Sequence, residues 1–152
     1  MAETPDVGDP APDFSLPSTQ GAISLKNRLE SRAVLLVFYP GDDTPVCTKQ
    51  LCDYRDNLSV FTDLDVDVIA VNPQPLDSHE AFAKKFSLPF PLAADEDKSV
   101  CRAYGTLSFL GYAQRALVLI GRDGKIKYKR SDFPMFRRSA DELRTVISGL
   151  AL

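Results

Sequence analysis

The chain has 152 residues, enough for one domain with a single substantial core, and its 44% apolar and 26% charged residues are ordinary for a soluble globular protein. A net charge of -3 and a pI near 5.1 exclude the basic stripe of a nucleic-acid binder, and no apolar run approaches the length of a membrane span. The acidic N-terminus, Met1 to Asp6, lacks the apolar stretch of a signal peptide, so a cytoplasmic location is expected. Three cysteines are too few for a disulfide scaffold, and in a reducing compartment at least one has chemistry to do.

Residues 1–22, rich in Pro and Gly, read as an extended entry arm with a turn. Ala33 to Tyr39 is a continuous apolar run rich in β-branched and aromatic residues, the pattern of a central strand covered on both faces. Pro40-Gly41-Asp42-Asp43 ends it. A helix is predicted next, with Thr44 as N-cap, Pro45 at the first helical position, and Leu51, Tyr54, Leu58 and Phe61 at helical spacing. Val66 to Val71 is a strand closed by Asn72-Pro73. Ser78 to Phe86 is a helix with Ala81, Phe82 and Phe86 inward, and Lys98 to Tyr104 a short helix ended by Gly105. Ala116 to Ile120 is a second buried strand, and Gly121-Arg122-Asp123-Gly124 turns it into Lys125 to Tyr128 as a hairpin. The lysines and arginine of Lys125 to Arg130 read as the solvent face of that strand. Ser139 to Leu150 is the last helix, opened by a capping box of Ser139 and Glu142. No repeat or linker divides the chain. The order of elements describes a single α/β domain over residues 1–152, with a central mixed sheet, helices on both faces and the order of the thioredoxin fold.

The caps place Cys47 at the third position of its helix, where backbone N–H groups lack intrahelical partners and the positive end of the helix dipole lies. Such surroundings favour a thiolate, which is the nucleophilic form of cysteine. The Thr44 hydroxyl can accept the Cys47 amide while turning its proton toward the sulfur or a bound oxygen. Asp42 and Asp43 oppose ionisation if they lie close, so a cation is needed that the neighbouring sequence does not supply. Cys47 and Cys52 are five residues apart. On an ideal helix that is about 140° of rotation and about 8.7 Å between Cα atoms, against a limit of about 7 Å for a disulfide. A bridge between them therefore requires that turn to unwind. A zinc site would need four ligands, and Cys101 and the single histidine, His79, have no matching spacing. His79 reads as a solvated residue, and Cys101 as a buried core residue with a second reading as a reserve resolving thiol.

Pro40-Gly41-Asp42-Asp43-Thr44-Pro45-Val46-Cys47 resembles the peroxiredoxin signature Pro-x-x-x-Thr-x-x-Cys, and the continuation to Asp56 is similar to the Q-type, or bacterioferritin comigratory, branch. Gly8 to Phe14, Ser78 to Phe82, Leu88 to Leu92 with Asp95, and Arg115 before its strand extend the resemblance over nearly the whole chain. Val46 stands where many Q-type members have glycine, and Ala116-Leu117 follow the arginine where a polar residue is common. The resemblance implies that Cys47 is the peroxidatic and Cys52 the resolving cysteine, that Arg115 is the missing cation, that Thr44 donates to the peroxide and that Pro40 shields the sulfur. It implies reduction of hydrogen peroxide and organic hydroperoxides without metal or organic cofactor, recycling by a thioredoxin-like dithiol, and a monomer. A thioredoxin-fold disulfide oxidoreductase and a redox-sensing or holdase module are the alternatives.

Overall fold

The apolar run that begins at Ala33 forms the strand around which the other elements assemble. The computed structural model describes residues 4–132 and 137–150, so the first three residues of the acidic N-terminal stretch lie outside it. In chain order the elements are β1 (Ser15–Leu16), β2 (Ile23–Ser24), α1 (Leu25–Leu29), β3 (Ala33–Phe38), α2 (Pro45–Asp56), α3 (Leu58–Thr62), β4 (Val66–Asn72), α4 (Leu76–Phe86), β5 (Leu92–Ala94), α5 (Ser99–Ala103), β6 (Arg115–Ile120), β7 (Ile126–Asp132) and α6 (Ala140–Ser148). Strands β1 and β2 make a small antiparallel pair.

The main sheet has the order β5-β4-β3-β6-β7, with β3 at its centre and every residue of β3 buried. Strands β4 and β5 run parallel to β3, whereas β6 and β7 return antiparallel, the mixed sheet that the element order predicts. Successive residues of a strand point to opposite faces. Leu35 and Val37 accordingly join Leu51 and Tyr54 of α2, Phe61 of α3, Phe82 of α4 and Leu143 of α6. Leu36 and Phe38 join Phe14, Leu25 of α1 and Val100 of α5 on the other side. Helices thus cover both faces. Among the described residues, no helix is long and apolar enough to cross a membrane.

Several local readings hold. The Gly121–Gly124 turn closes with the Gly121 N–H donating to the Lys125 carbonyl at 2.9 Å, and Gly124 takes a φ of +81° that suits glycine. Ser139 and Glu142 form the reciprocal capping box at the start of α6.

Others are corrected. The helix that starts after Thr44 does not run through Phe61. It breaks at Asn57 (φ -122°, ψ 33°), so Leu58 and Phe61 belong to the separate α3. Helix α4 begins at Leu76, and its inner face is His79, Phe82, Ala83 and Phe86, leaving Ala81 exposed. Lys129 is half-buried rather than fully on the solvent face, and its ammonium donates to the carbonyls of Pro5 (2.5 Å) and Tyr104 (3.1 Å).

Leu36 is wholly buried in the centre of β3. Leu36→Ala is expected to cost about 2–5 kcal/mol of unfolding free energy through lost burial and the remaining cavity, measured by chemical denaturation.

Candidate active site

The site forms where β3 ends. After Phe38 the chain leaves the sheet through Tyr39 and Pro40, and Asp43 turns it with a φ of +56°, a left-handed conformation that aspartate tolerates better than most residues. Thr44 then takes the extended N-cap conformation and Pro45 opens α2, so Cys47 occupies the third helical position, as the caps predict.

The Thr44 side chain departs from its expected bond. Its oxygen accepts no capping hydrogen bond, and its hydroxyl instead donates to the Gly41 carbonyl at 3.0 Å. The residue is exposed, and Pro40 is half-buried.

Cys47 is 1% exposed, and the Nη2 of Arg115 donates to its Sγ at 3.0 Å. The cation that the local sequence lacks therefore comes from the first residue of β6, 68 positions away. The antiparallel register pairs Phe38 with Ala116, which puts Arg115 at the same sheet end from which α2 departs. Arg115 is itself only 2% exposed, so its charge must be met inside the protein. Its Nη1 donates to the Oε1 of Gln50, whose Nε2 donates to the Tyr54 hydroxyl at 3.1 Å; that hydroxyl donates to the Arg138 carbonyl at 2.7 Å. Gln50 and Tyr54 lie three and seven positions after Cys47, on one helix face. The sequence pattern marks Tyr54 as one of a helical stripe and gives Gln50 no role. A glutamine on the same stripe as Leu51 and Tyr54 is the signal that could have marked it.

The two acids of the loop do not face the sulfur unpaired. Asp43 pairs at the surface with Lys85 at 2.8 Å. Asp42 turns inward to His79, whose Nδ1 lies 2.7 Å from its Oδ2, and accepts the hydroxyls of Ser78 (2.6 Å) and Tyr39 (2.5 Å). Burial pushes the Asp42 carboxyl up, but the hydrogen bonds from His79, Ser78 and Tyr39 outweigh it and hold the group below the usual carboxylate range. Burial first, and then the Asp42 charge, raise the Tyr39 phenol, so it stays a donor. His79 is therefore not the solvated residue that its polar neighbours predict; it is completely buried.

Cys52 is partly exposed on the same continuous helix as Cys47, and all three cysteines are free thiols. Cys101 lies in the core cluster on the opposite face of the sheet from Cys47. Burial first, and then the Asp95 carboxylate, push the Cys101 thiol far above the ordinary range, which suits a core residue. A cavity of about 680 Å³ opens beside the site, with Arg115, Tyr112, Gln114, Arg130 and Arg138 in its wall. Among the described residues Arg115 is its link to the cysteine; Cys47, Thr44 and Pro40 do not line it.

Residues 7–129 match the sequence model of the AhpC/TSA family. Over 134 residues the chain is 38% identical to Peroxiredoxin Bcp of Escherichia coli (strain K12), covering 84% of this chain and 86% of that one. It is 37% identical over 103 residues to the chloroplastic Peroxiredoxin Q of Sedum lineare, covering 68% of this chain and 55% of the plant protein, little more than half its length. Among solved structures, a reduced 2-Cys peroxiredoxin of Plasmodium vivax superposes with a TM-score of 0.88 at 27% identity, covering 93% of this chain and 80% of the other. Peroxidoxin BcpB of Mycobacterium tuberculosis superposes with a TM-score of 0.83 at 27% identity over 95% of each chain. The shared architecture is the thioredoxin-like fold.

Gln50→Leu removes a buried acceptor from Arg115 and a donor from Tyr54. It is expected to lower stability by about 1–3 kcal/mol in denaturant titration, although leucine suits the helix and the burial.

Proposed function

The chain belongs to the AhpC/TSA family and is a peroxiredoxin, a thiol-dependent peroxidase, and on that premise we propose that Cys47 attacks the peroxide and Cys52 resolves the product. The observation that carries this reading is the guanidinium of Arg115 at 3.0 Å from the Cys47 sulfur, in the first turn of α2. A cation and first-turn amides both favour the thiolate over the thiol.

The thiolate attacks the terminal oxygen of a hydroperoxide. The S–O bond forms as the O–O bond breaks, sulfur gives up two electrons, and the leaving oxygen takes a proton and departs as water or an alcohol. Negative charge builds on the two oxygens, and Arg115 and the first-turn N–H groups supply donors before the reaction begins. Thr44 supplies a further donor once its hydroxyl turns from the Gly41 carbonyl to the peroxide, and Pro40, beside the strand end, screens the sulfur from water.

The Cys52 sulfur then attacks the Cys47 sulfenic acid, forming the disulfide and releasing water. Both residues lie within one helix, where five positions separate their Cα atoms by about 8.7 Å, so that part of α2 opens before the bridge closes. A thioredoxin-type dithiol reduces the bridge and the helix re-forms. The substrates proposed are hydrogen peroxide and organic hydroperoxides. We further propose a monomer that acts as one domain over residues 1–152 in the cytoplasm, whose reducing conditions suit three free thiols.

Stopped-flow consumption of hydrogen peroxide by the reduced protein tests the assignment. Cys47→Ser is expected to abolish turnover, and Cys52→Ser to complete one fast turnover and then stall as the sulfenic acid, identified by mass spectrometry. Unchanged peroxide consumption by Cys47→Ser would overturn the assignment, and a Cys47–Cys101 bridge in the oxidised parent would overturn the role of Cys52.

A further inference from the structure

We propose that Asp42 and His79 form a positioning pair for the peroxide reaction, a buried clasp that fixes the Pro40–Thr44 loop against α4 and keeps the Asp42 carboxylate matched near the start of the Cys47 helix. The proposal rests on the assignment of Cys47 as the reacting cysteine.

Asp42 is held at two points. Its backbone N–H donates to the Oε1 of Gln74 at 2.5 Å, and the Gln74 N–H donates to the Oδ1 of Asn72 at 2.8 Å, so the loop is tied to the end of β4. Its carboxylate, 3% exposed, accepts the Tyr39, Ser78 and His79 donors. An ionised carboxylate only accepts, so the His79 Nδ1 carries the shared proton.

His79 occupies a stripe otherwise made of Phe82, Ala83 and Phe86, where an apolar side chain would be cheaper. Its Nε2 meets no hydrogen-bond partner among the described residues. A buried ring nitrogen without a partner destabilises the fold, so the pairing that accounts for an imidazole here is the one Nδ1 makes with Asp42.

The benefit falls on the neighbouring helix. Asp42 lies five residues before Cys47, and its carboxylate, once released from His79, would be free to turn toward the first turn of α2 and oppose a second anion there. Helix α4 answers both acids of the loop, with His79 for Asp42 and Lys85 for Asp43. The other titratable group that meets the pair is Tyr39 from the end of β3, whose phenol feels the Asp42 charge and, more weakly, that of Cys47. Clasp and thiol thus lie five positions apart, on either side of the Thr44 N-cap.

The test is the single-turnover rate of the reduced protein with hydrogen peroxide, measured as a pH profile. His79→Leu is expected to react about tenfold more slowly at neutral pH, with the midpoint of its profile displaced upward by about one unit. His79→Gln, whose amide can still donate to Asp42, is expected to recover most of the rate. The double variant Asp42→Asn/His79→Leu lacks the unmatched carboxylate, and its midpoint is expected to return to the parental value, which a loss of stability alone would not produce. A parental rate and midpoint in His79→Leu, or a double variant whose midpoint stays with that of His79→Leu, overturns the proposal. If His79→Leu does not fold, Asp42→Ala carries the test. It is expected to be slower without an upward midpoint, because the loop loses its hold on α4, and a parental rate refutes the pair. A parent that consumes peroxide no faster than Cys47→Ser would instead defeat the assignment of Cys47, a result distinct from either of these.

Discussion

A guanidinium buried against a thiol is the contact around which the site is organised. Removing an arginine from water costs several kcal/mol unless its donors find acceptors. In this protein they find the Cys47 sulfur and the Gln50 side-chain oxygen. The direction of one strand makes the contact possible. Because β6 runs antiparallel to β3, its first residue lies at the end of β3 from which α2 departs. A parallel β6 would carry Arg115 to the far end of the sheet. The topology thus decides where the charge is placed, and the first turn of α2 brings the sulfur to meet it.

Helix α2 faces two ways. Its inner stripe holds Cys47, Gln50 and Tyr54 in one hydrogen-bonded line that ends at the Arg138 carbonyl. The Asp53 carboxylate reaches α6, accepting the Ala140 N–H at 2.8 Å and pairing with Arg137 at 3.4 Å. Asp53 directly follows Cys52, so the segment that would open for a Cys47–Cys52 bridge borders the contact that supports the last helix. On the other side of the cysteine, the acids of the loop are drawn toward α4, one inside and one at the surface. The sulfur meets the guanidinium while the two aspartates that precede the helix find partners of their own, so neither carboxylate lies unpaired at its head.

Much of this was legible in the sequence wherever the signal is local. Thr44 and Pro45 fix the start of α2 and hence the position of Cys47; Gly121 to Gly124 specify a hairpin; Ser139 and Glu142 announce α6. What escaped depends on contacts distant in sequence. Strand β5 has three residues and exists through its pairing with β4, Ala70 opposite Leu92. The five-residue α1 is too short to show a helical period. His79 reads as a surface residue beside Ser78 and Glu80, and only the fold brings Asp42, 37 positions away, to its ring. Thr44 has the residue type of a side-chain cap, yet the left-handed Asp43 before it turns the loop so that the Gly41 carbonyl claims the hydroxyl. Arg115 was identified through family resemblance, since neither composition nor spacing could have supplied a partner 68 positions from Cys47.

Whether Arg115 holds Cys47 as an anion decides how the site works. The direct measurement is the ultraviolet thiolate absorbance of the reduced protein at neutral pH, taken as the difference from the matching Cys47→Ser protein so that Cys52 and Cys101 cancel. The comparison is made once with Arg115 and once with Arg115→Met. The expected result is a Cys47 thiolate signal with arginine that is lost with methionine. Equal signals in the two backgrounds, or no Cys47 signal in the parent, would contradict it.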